Sequence, residues 1–163
     1  MTTTVPSPRS RVYGIDFSGA RDAGKKLWIA GGIAEGGRLR VERCASAAEW
    51  LGVGPDRDRC LAALSGFIAQ REEVAFGLDF SFGLPALLVA EGSWEEFALV
   101  FGGRRTDPDH FSDSCHEATA ERWPGRKEIK RVTDIEAQTP MSPYNRRIKY
   151  QTFHGIQIGR AHV

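Results

Sequence analysis

A chain of 163 residues, with 41% hydrophobic and 26% charged side chains, has the composition of one globular domain with a buried core. Its formal net charge of +1 excludes a global field that attracts nucleic acid or a membrane, so any electrostatic site must be local. No apolar run is long enough for a spanning helix or a secretory signal, and we expect a flexible N-terminal tail at residues 1–10. The three cysteines, Cys44, Cys60 and Cys115, are odd in number and widely spaced, which is typical of reduced thiols in a cytoplasmic protein.

The first three predicted strands form an antiparallel meander. Arg11–Phe17 is an apolar run, rich in aromatic and branched residues and stopped by glycine, which is typical of a buried strand. Lys26–Ile33 is a second strand, and Arg38–Cys44 alternates polar with apolar residues as a strand covered on one side does. Glu35–Gly37 has the composition of a turn, and such short glycine-rich connections favour a meander.

A crossover helix and a fourth strand are predicted next. The segment that starts at Pro55 has acidic residues in its first turn and apolar residues at helical spacing from Cys60 onward, which predicts a helix with one apolar face. Val74–Phe80 then returns as a strand. Because a helix between two strands usually forms a crossover connection, we expect this strand to lie parallel to a strand of the meander.

The second half of the chain predicts helices. One is expected to start at Gly83–Pro85, where a proline suits the first turn, and two more cover Trp94–Phe101 and Asp109–Arg122. Ser142–Asn145 predicts the cap of a final helix that runs to about Gly155. The fold class that follows is α/β, with a mixed sheet followed by helices.

Two of the predicted strands end in the same three residues, Asp-Phe-Ser. Asp16 and Asp79 would lie at the ends of two strands of one sheet, and two carboxylates close together favour a hard divalent metal with oxygen ligands. A structural role is the alternative for Asp16, because Asp and Ser18 at a strand end often accept hydrogen bonds from the following backbone amides.

This order of elements, with an acid at the end of the first strand and another on the fourth, resembles the ribonuclease-H-like fold. The segments Tyr13–Ala20 and Gly77–Pro85 resemble the signatures of a bacterial family, domain-of-unknown-function family 429, whose members are predicted to be nuclease-like. The resemblance implies that Asp16 and Asp79 are catalytic residues and ligands for Mg²⁺ or Mn²⁺. In this fold, two metal ions roughly 4 Å apart activate water and stabilise the leaving oxygen of a phosphodiester.

The resemblance also predicts that the domain is incomplete. Members of the fold add acids from later strands and helices, whereas the acids that follow Asp79 here lie on a predicted peripheral helix, at Glu91, Glu95 and Glu96. In the standard genetic code the last six residues correspond to ATC GGA AGA GCA CAC GTC, which is similar to a common sequencing-library adapter. We therefore expect a ribonuclease-H-like domain at 11–156 without its closing elements, and a non-native tail at 157–163.

Four further residues are predicted to bind substrate. Ser18 and Ser81 are placed to hold a phosphate or a water molecule beside the metal, although hydrogen bonding within their own turns is the alternative. Arg131 and Arg146 belong to a basic segment, residues 122–149, that can contact phosphates. The alternative for this segment is the solvated face of ordinary helices.

The histidines and tryptophans predict no site of their own. His110, His116 and His154 share no metal-ligand spacing and are expected at the surface. Trp28 and the other tryptophans are interpreted as core or interface anchors and not as platforms for base stacking.

These features predict a divalent-metal-dependent phosphodiester hydrolase that acts on nucleic acid or a small phosphoester in its complete form, with this fragment inactive. One alternative is a nucleotide-binding phosphotransferase of the actin and sugar-kinase fold, because Asp16–Gly19 is similar to the phosphate-contacting loop of that fold. The other alternative is a non-catalytic binding module that keeps the fold without the metal. No membrane partner is predicted, and neither the substrate nor the oligomeric state follows from the sequence.

Overall fold

The structure of the chain, a computed structural model, describes residues 9–105 and 107–160. The described residues form two compact units, the first running to Asp79 and the second starting at Phe80. Most of the predicted N-terminal tail, and the last three residues of the predicted non-native tail, lie outside the described residues. Among the described helices, none combines the length and the apolar character needed to cross a membrane.

The first unit is built on a mixed sheet. Its strands are β1 (Arg9–Asp16), β2 (Trp28–Glu35), β3 (Arg38–Ser46) and β4 (Ala75–Leu78). The strand order is β3-β2-β1-β4, with β2 antiparallel to both β1 and β3, and with β4 parallel to β1. The predicted meander and the parallel fourth strand are therefore confirmed, and the fold is α/β.

The turn between β2 and β3 is the predicted two-glycine hairpin. Glu35 pairs with Arg38, which leaves Gly36 and Gly37 as the only loop residues. Both have positive φ angles, 55° and 74°, a conformation that glycine adopts without a steric penalty. Two-residue loops of this kind match the right-handed twist of the strands they join.

Three helices accompany the sheet in the described part of the first unit. They are α1 (Ala23–Lys26), α2 (Ala47–Leu51) and α3 (Arg57–Ala69). The predicted crossover helix is α3, and Asp56 caps it by accepting a hydrogen bond from the Arg59 amide at 3.0 Å. The two short helices are not among the sequence predictions. Lys26 was expected to begin the second strand, but it ends α1 because the chain turns there before β2.

One face of the sheet is covered and the other is open. On the covered face, the ring of Tyr13 contacts Phe67 of α3 at a centroid distance of 5.1 Å and stacks on Phe76 of β4 at 5.2 Å. Ile15 and Ile29 are buried on the same side. On the opposite face, the residues of β1 and β4 at alternate positions, Gly14, Asp16, Ala75 and Gly77, are exposed. The apolar residues at alternate positions therefore determine which face is covered, and the residues between them lie on the open face.

The second unit consists of helices. These are α4 (Trp94–Arg104), α5 (Pro108–Arg122), α6 (Val132–Glu136) and α7 (Lys149–Arg160), with one turn of 3-10 helix at Ala86–Leu88. The predictions of α4 and α5 are confirmed. The prediction of a helix that starts at Gly83–Pro85 is wrong. After the single 3-10 turn, Val89 adopts an extended conformation, and Ser93 then caps a new helix.

The final helix starts later and ends later than the sequence predicts. Ser142 does not cap it, because Glu128 accepts hydrogen bonds from both its backbone amide and its hydroxyl. Helix α7 begins at Lys149 instead, after a turn in which the Lys149 amide bonds the Asn145 carbonyl at 2.9 Å. It continues to Arg160, since buried apolar residues extend its inward face past the predicted end.

The second unit has its own aromatic core. The buried residues that pack together are Leu84, Phe97, Phe101, Phe111, Cys115, Tyr144, Phe153 and Ile156. Helix α7 also approaches the buried ring of Phe80 at Gly155, where a Cβ atom would lie 2.1 Å from Phe80 Cδ2. A glycine is required there because the ring of Phe80 fills the space that the first side-chain atom of any other residue would need.

We expect Gly155→Ala to lower the free energy of unfolding by roughly 1–3 kcal/mol, because the new methyl group forces the buried ring of Phe80 to shift. Chemical denaturation of the purified protein measures this change. The matched control is Gly103→Ala in α4, where nothing lies within 4 Å of an added Cβ and the stability should stay constant or rise. Equal effects of the two substitutions would contradict the packing described for α7.

Candidate functional site

The pairing of β1 with β4 places the two predicted acids side by side. The last residues in register are Ile15 and Leu78, so Asp16 and Asp79 occupy the next position on each strand. Neighbouring strands lie about 4.8 Å apart, and alternation along both strands directs these two carboxylates to the open face. The prediction that they end two strands of one sheet is confirmed.

Small residues adjoin the acids on the open face. Gly77, Gly14, Ala30 and Cys44 occupy one row across the four strands, in the order β4, β1, β2 and β3. Trp28 is the register partner of Asp16 and is 46% exposed. Together these residues line a cleft of about 730 Å³, which we call the acidic cleft: Gly14, Ile15, Asp16, Trp28, Ala30, Cys44, Gly77, Leu78 and Asp79.

The two carboxylates have different environments. Asp79 Oδ1 accepts a hydrogen bond of 2.7 Å from the backbone amide of Phe17, whose side chain is buried. Asp16 is exposed, and its carboxylate has no hydrogen bond or ion pair with any residue that the structure describes. The amide-binding role that the sequence suggested for Asp16 is therefore taken by Asp79. Ser18 does bond within its own turn, where its Oγ accepts from the Ala20 amide at 3.4 Å.

The acid pair suits one hard divalent ion. Carboxylate oxygens are the ligands that Mg²⁺ prefers, and the ion usually takes only one or two of them together with water and phosphate oxygens. No group of three or more His, Cys, Asp and Glu residues suited to a metal is found within residues 9–105 and 107–160. The residues present therefore fit a single Mg²⁺ or Mn²⁺ ion, and they provide no second ligand set for the expected pair of ions.

Ser81 and Arg131 form one polar cluster in the second unit. The Arg131 guanidinium donates from Nε and Nη2 to both carboxylate oxygens of Asp134, at 2.9 and 2.6 Å, and from Nη2 to Ser81 Oγ at 3.2 Å. Asp134 also accepts a 2.9 Å hydrogen bond from the Arg131 backbone amide. The first turn of α6 is therefore closed by the ion pair between Arg131 and Asp134. The predicted role of Ser81 and Arg131 in binding substrate stays a prediction.

The environment of Asp134 sets the direction of its pKa. Burial raises the pKa of this carboxyl, but the hydrogen bonds from the Arg131 side chain and backbone, with the charges of Arg131 and Lys130, outweigh that effect. The net result is a pKa below the ordinary value of 3.8. The ionised form of Asp134 is therefore favoured by the folded state.

Arg146 lies in a different cleft of the second unit, where it forms a long ion pair of 3.7 Å with Asp113.

The histidines do not share one environment. His110 is exposed as predicted, His116 is half-buried at this second cleft, and His154 is buried. The prediction of a surface position is therefore wrong for His154, because it lies on α7 between Phe153 and Gly155, which are buried as well.

Trp28 and the row of small residues are the parts of the acidic cleft that sequence reasoning missed. The available signal was the alternation in β2, which assigns Ile29 and Ile33 to the covered face and therefore Trp28 and Ala30 to the open face. A tryptophan considered alone is more often a buried anchor than an exposed ring. Only the alternation of its neighbours in β2 indicates that Trp28 lies on the open face.

Comparison of the chain with protein-family models, curated proteins and solved structures finds no match. The function is therefore inferred from the residues of the site.

The two acids should differ in their effect on stability. We expect Asp79→Ala to lower the free energy of unfolding by about 1–3 kcal/mol, because it removes the acceptor for the Phe17 amide. Asp79→Asn keeps an acceptor oxygen and should restore most of the loss. Asp16→Ala should leave stability unchanged or slightly raised, and urea denaturation of all three variants tests this. A larger loss for Asp16→Ala than for Asp79→Ala would contradict the assigned roles.

The ion pair of α6 should stabilise the protein in a pH-dependent way. Because the pKa of Asp134 is lower in the folded state, its ionised form contributes stability above the ordinary value of 3.8, and that contribution is lost as the pH falls through the folded pKa. We expect Asp134→Asn to be less stable than the wild type near neutral pH, with a difference that shrinks below pH 3.8. Denaturation curves at several pH values between about 3 and 7 measure it. A difference that is constant with pH would contradict this account.

Proposed function

We propose that the complete form of this protein is a divalent-metal-dependent phosphodiester hydrolase, nuclease-like and of the ribonuclease-H-like fold, in which Asp16 and Asp79 bind Mg²⁺ or Mn²⁺. The observation that carries the proposal is the pair of carboxylates on one face of the sheet, at the ends of neighbouring parallel strands. The meander, crossover helix and parallel fourth strand support the fold assignment. The resemblance to domain-of-unknown-function family 429 belongs to the same proposal.

The chain's own residues divide the work of binding an ion. The Phe17 amide fixes the orientation of Asp79, so this carboxylate is held in place before any ligand arrives. Asp16 contributes an exposed carboxylate from the adjacent strand. When bound, a divalent ion supplies positive charge that polarises a phosphoryl oxygen and favours the ionisation of water.

The remainder of the acidic cleft favours a nucleic acid or nucleotide as the substrate. Trp28 presents an exposed aromatic ring beside Asp16, and aromatic rings stack on bases of any sequence. Gly14 and Gly77 lack side chains, and nothing within 4 Å would oppose even a Cβ at Gly14, so a phosphate can approach the backbone in the row next to the ring and the acids.

Hydrolysis of fluorescent single-stranded and double-stranded DNA and RNA, with Mn²⁺ and with EDTA, tests the proposal. In the complete form of the protein we expect activity that requires the metal and that falls by about two orders of magnitude in Asp16→Asn and in Asp79→Asn, as when an electrostatic group is removed from a catalytic site. Asp58→Asn, an exposed acid on α3, removes the same charge elsewhere and should keep full activity. Mn²⁺ should also raise the melting temperature of the wild type and have no such effect on Asp16→Asn.

Equal activity in the wild type and both cleft variants would contradict the catalytic assignment. A second candidate function, a non-catalytic module that binds the same substrate, is favoured by one observation: the described residues bring no third acid to the pair. Binding of nucleic acid that depends on Trp28, without metal-dependent hydrolysis, would establish this second candidate in place of the first.

A further inference from the structure

A basic pocket of about 550 Å³ lies in the second unit. Its walls come from α5, from the segment that follows α5, and from the turn before α7. The lining residues are His116, Ala120, Arg126, Lys127, Glu128, Asn145, Arg146 and Arg147. A pocket of this volume has the size of a small-molecule site.

Hydrogen bonds hold the three walls of the basic pocket together. His116 Nδ1 on α5 donates to the Lys127 carbonyl at 2.9 Å. Glu128 accepts hydrogen bonds from the turn before α7, at 2.8 Å from the Ser142 hydroxyl and also from the Asn145 amide group. The pocket is therefore shaped by the protein itself before a ligand binds.

The charge of the basic pocket is uncompensated. Within the part of the chain that the structure describes, the side chains of Arg126, Lys127 and Arg147 have no ion-pair partner. Arg146 has only the long, exposed contact with Asp113. Glu128 is the one carboxylate among the lining residues, and its oxygens already accept hydrogen bonds from Ser142 and Asn145. Four cations against one engaged carboxylate indicate an anionic ligand.

His116 adds a specific feature to this charge. A carbonyl oxygen has no proton, so the contact with Lys127 requires Nδ1 to be the protonated nitrogen. The other ring nitrogen, Nε2, is buried and has no hydrogen-bond partner among the described residues, so a ligand in the pocket does not reach it. His116 therefore acts as a positioning residue, because its Nδ1 holds the backbone of Lys127 at the edge of the pocket.

We propose that the basic pocket binds the terminal phosphate of a nucleotide-sized phosphomonoester. A phosphomonoester carries a charge of about −1.5 to −2 at neutral pH because its second pKa is about 6, and it offers three acceptor oxygens to the surrounding cations. An internal phosphodiester has a single charge and fewer free oxygens, so it compensates the four cations less well.

This site does not depend on the metal-dependent hydrolysis proposed above. All of its lining residues belong to the second unit, whereas Asp16 and Asp79 belong to the first. Binding is therefore expected in EDTA and in the Asp16→Asn variant. Loss of hydrolysis with retained phosphate binding, or the reverse, separates the two proposals.

Fluorescence anisotropy with the full chain in EDTA tests the pocket. The probe is a 3′-labelled hexathymidylate, prepared with a 5′-phosphate and with a 5′-hydroxyl. We expect the phosphorylated strand to bind at least about tenfold more tightly, as one added charge-assisted contact predicts. Competition with uridine 5′-monophosphate, with inorganic phosphate and with the phosphorylated strand shows whether a free mononucleotide, the bare ion or a strand end is preferred.

Two sets of variants assign the binding to the pocket. Lys127→Gln combined with Arg147→Gln should abolish the preference for the 5′-phosphate, while Lys25→Gln combined with Arg38→Gln removes the same charge from exposed positions in the first unit and should retain it. His116→Ala removes the donor for the Lys127 carbonyl, so it should reduce the preference for the 5′-phosphate, whereas His116→Asn keeps a donor and should retain it. Melting temperatures verify that every variant is folded.

Equal affinity for the phosphorylated and unphosphorylated strands would overturn the proposal, because the pocket would then recognise backbone phosphodiesters. Absence of binding by the folded wild type would overturn it as well. So would an equal loss in the pocket variant and in the charge-matched control, since net charge alone would explain that result. An unchanged preference in His116→Ala would overturn the role given to His116.

Discussion

The parallel register of β1 and β4 is the constraint on which the candidate active site depends. Neither strand carries a complete site: β1 ends in one acid, Asp16, and one acid, Asp79, directly follows β4. Because Ile15 pairs with Leu78, the two acids reach the same level on the same face, and a slip of one residue would direct Asp79 to the covered side. Tyr13 and Phe76 stack in the covered layer and oppose such a slip, since it would expose one of the rings. The packing of one face therefore determines the chemistry of the other.

The sequence predicts the sheet well because its signals are local and repeated. Alternation in β3 and the two glycines at positions 36 and 37 identify a hairpin without reference to the rest of the chain. The short helices α1 and α2 escape prediction, since four or five residues do not establish a helical period. The start of α7 was misplaced for another reason: Ser142 has the residue type of a cap, but the distant Glu128 binds it. Such long-range partners leave no pattern in the sequence near Ser142.

Tyr144 has a comparable organising role in the second unit. Its side chain is fully buried, and its hydroxyl accepts from the Ile129 amide at 2.6 Å and bonds Thr119 at 2.9 Å, while its carbonyl accepts from Ser112 at 2.8 Å. Burial raises the pKa of this hydroxyl, which keeps it neutral as a hydrogen-bonding group. Tyr144 thus connects the turn before α7 by hydrogen bonds to two successive positions of α5, Ser112 and Thr119, and to the segment that follows α5. The walls of the basic pocket are these same three elements, so its shape follows from the burial of a single phenol.

The row of glycine and alanine across the open face has a consequence for the entropy of binding. Gly14, Gly77 and Ala30 have no side-chain rotamers to lose, so a ligand that covers them orders almost nothing in the protein. At a surface of long, flexible side chains, the loss of rotamer freedom would offset part of every favourable contact. Here the strands are held rigid by their own hydrogen bonds, so nearly all of the conformational entropy lost on binding is lost by the ligand. A stiff, flat ligand would therefore keep more of its contact energy as affinity than a flexible one would.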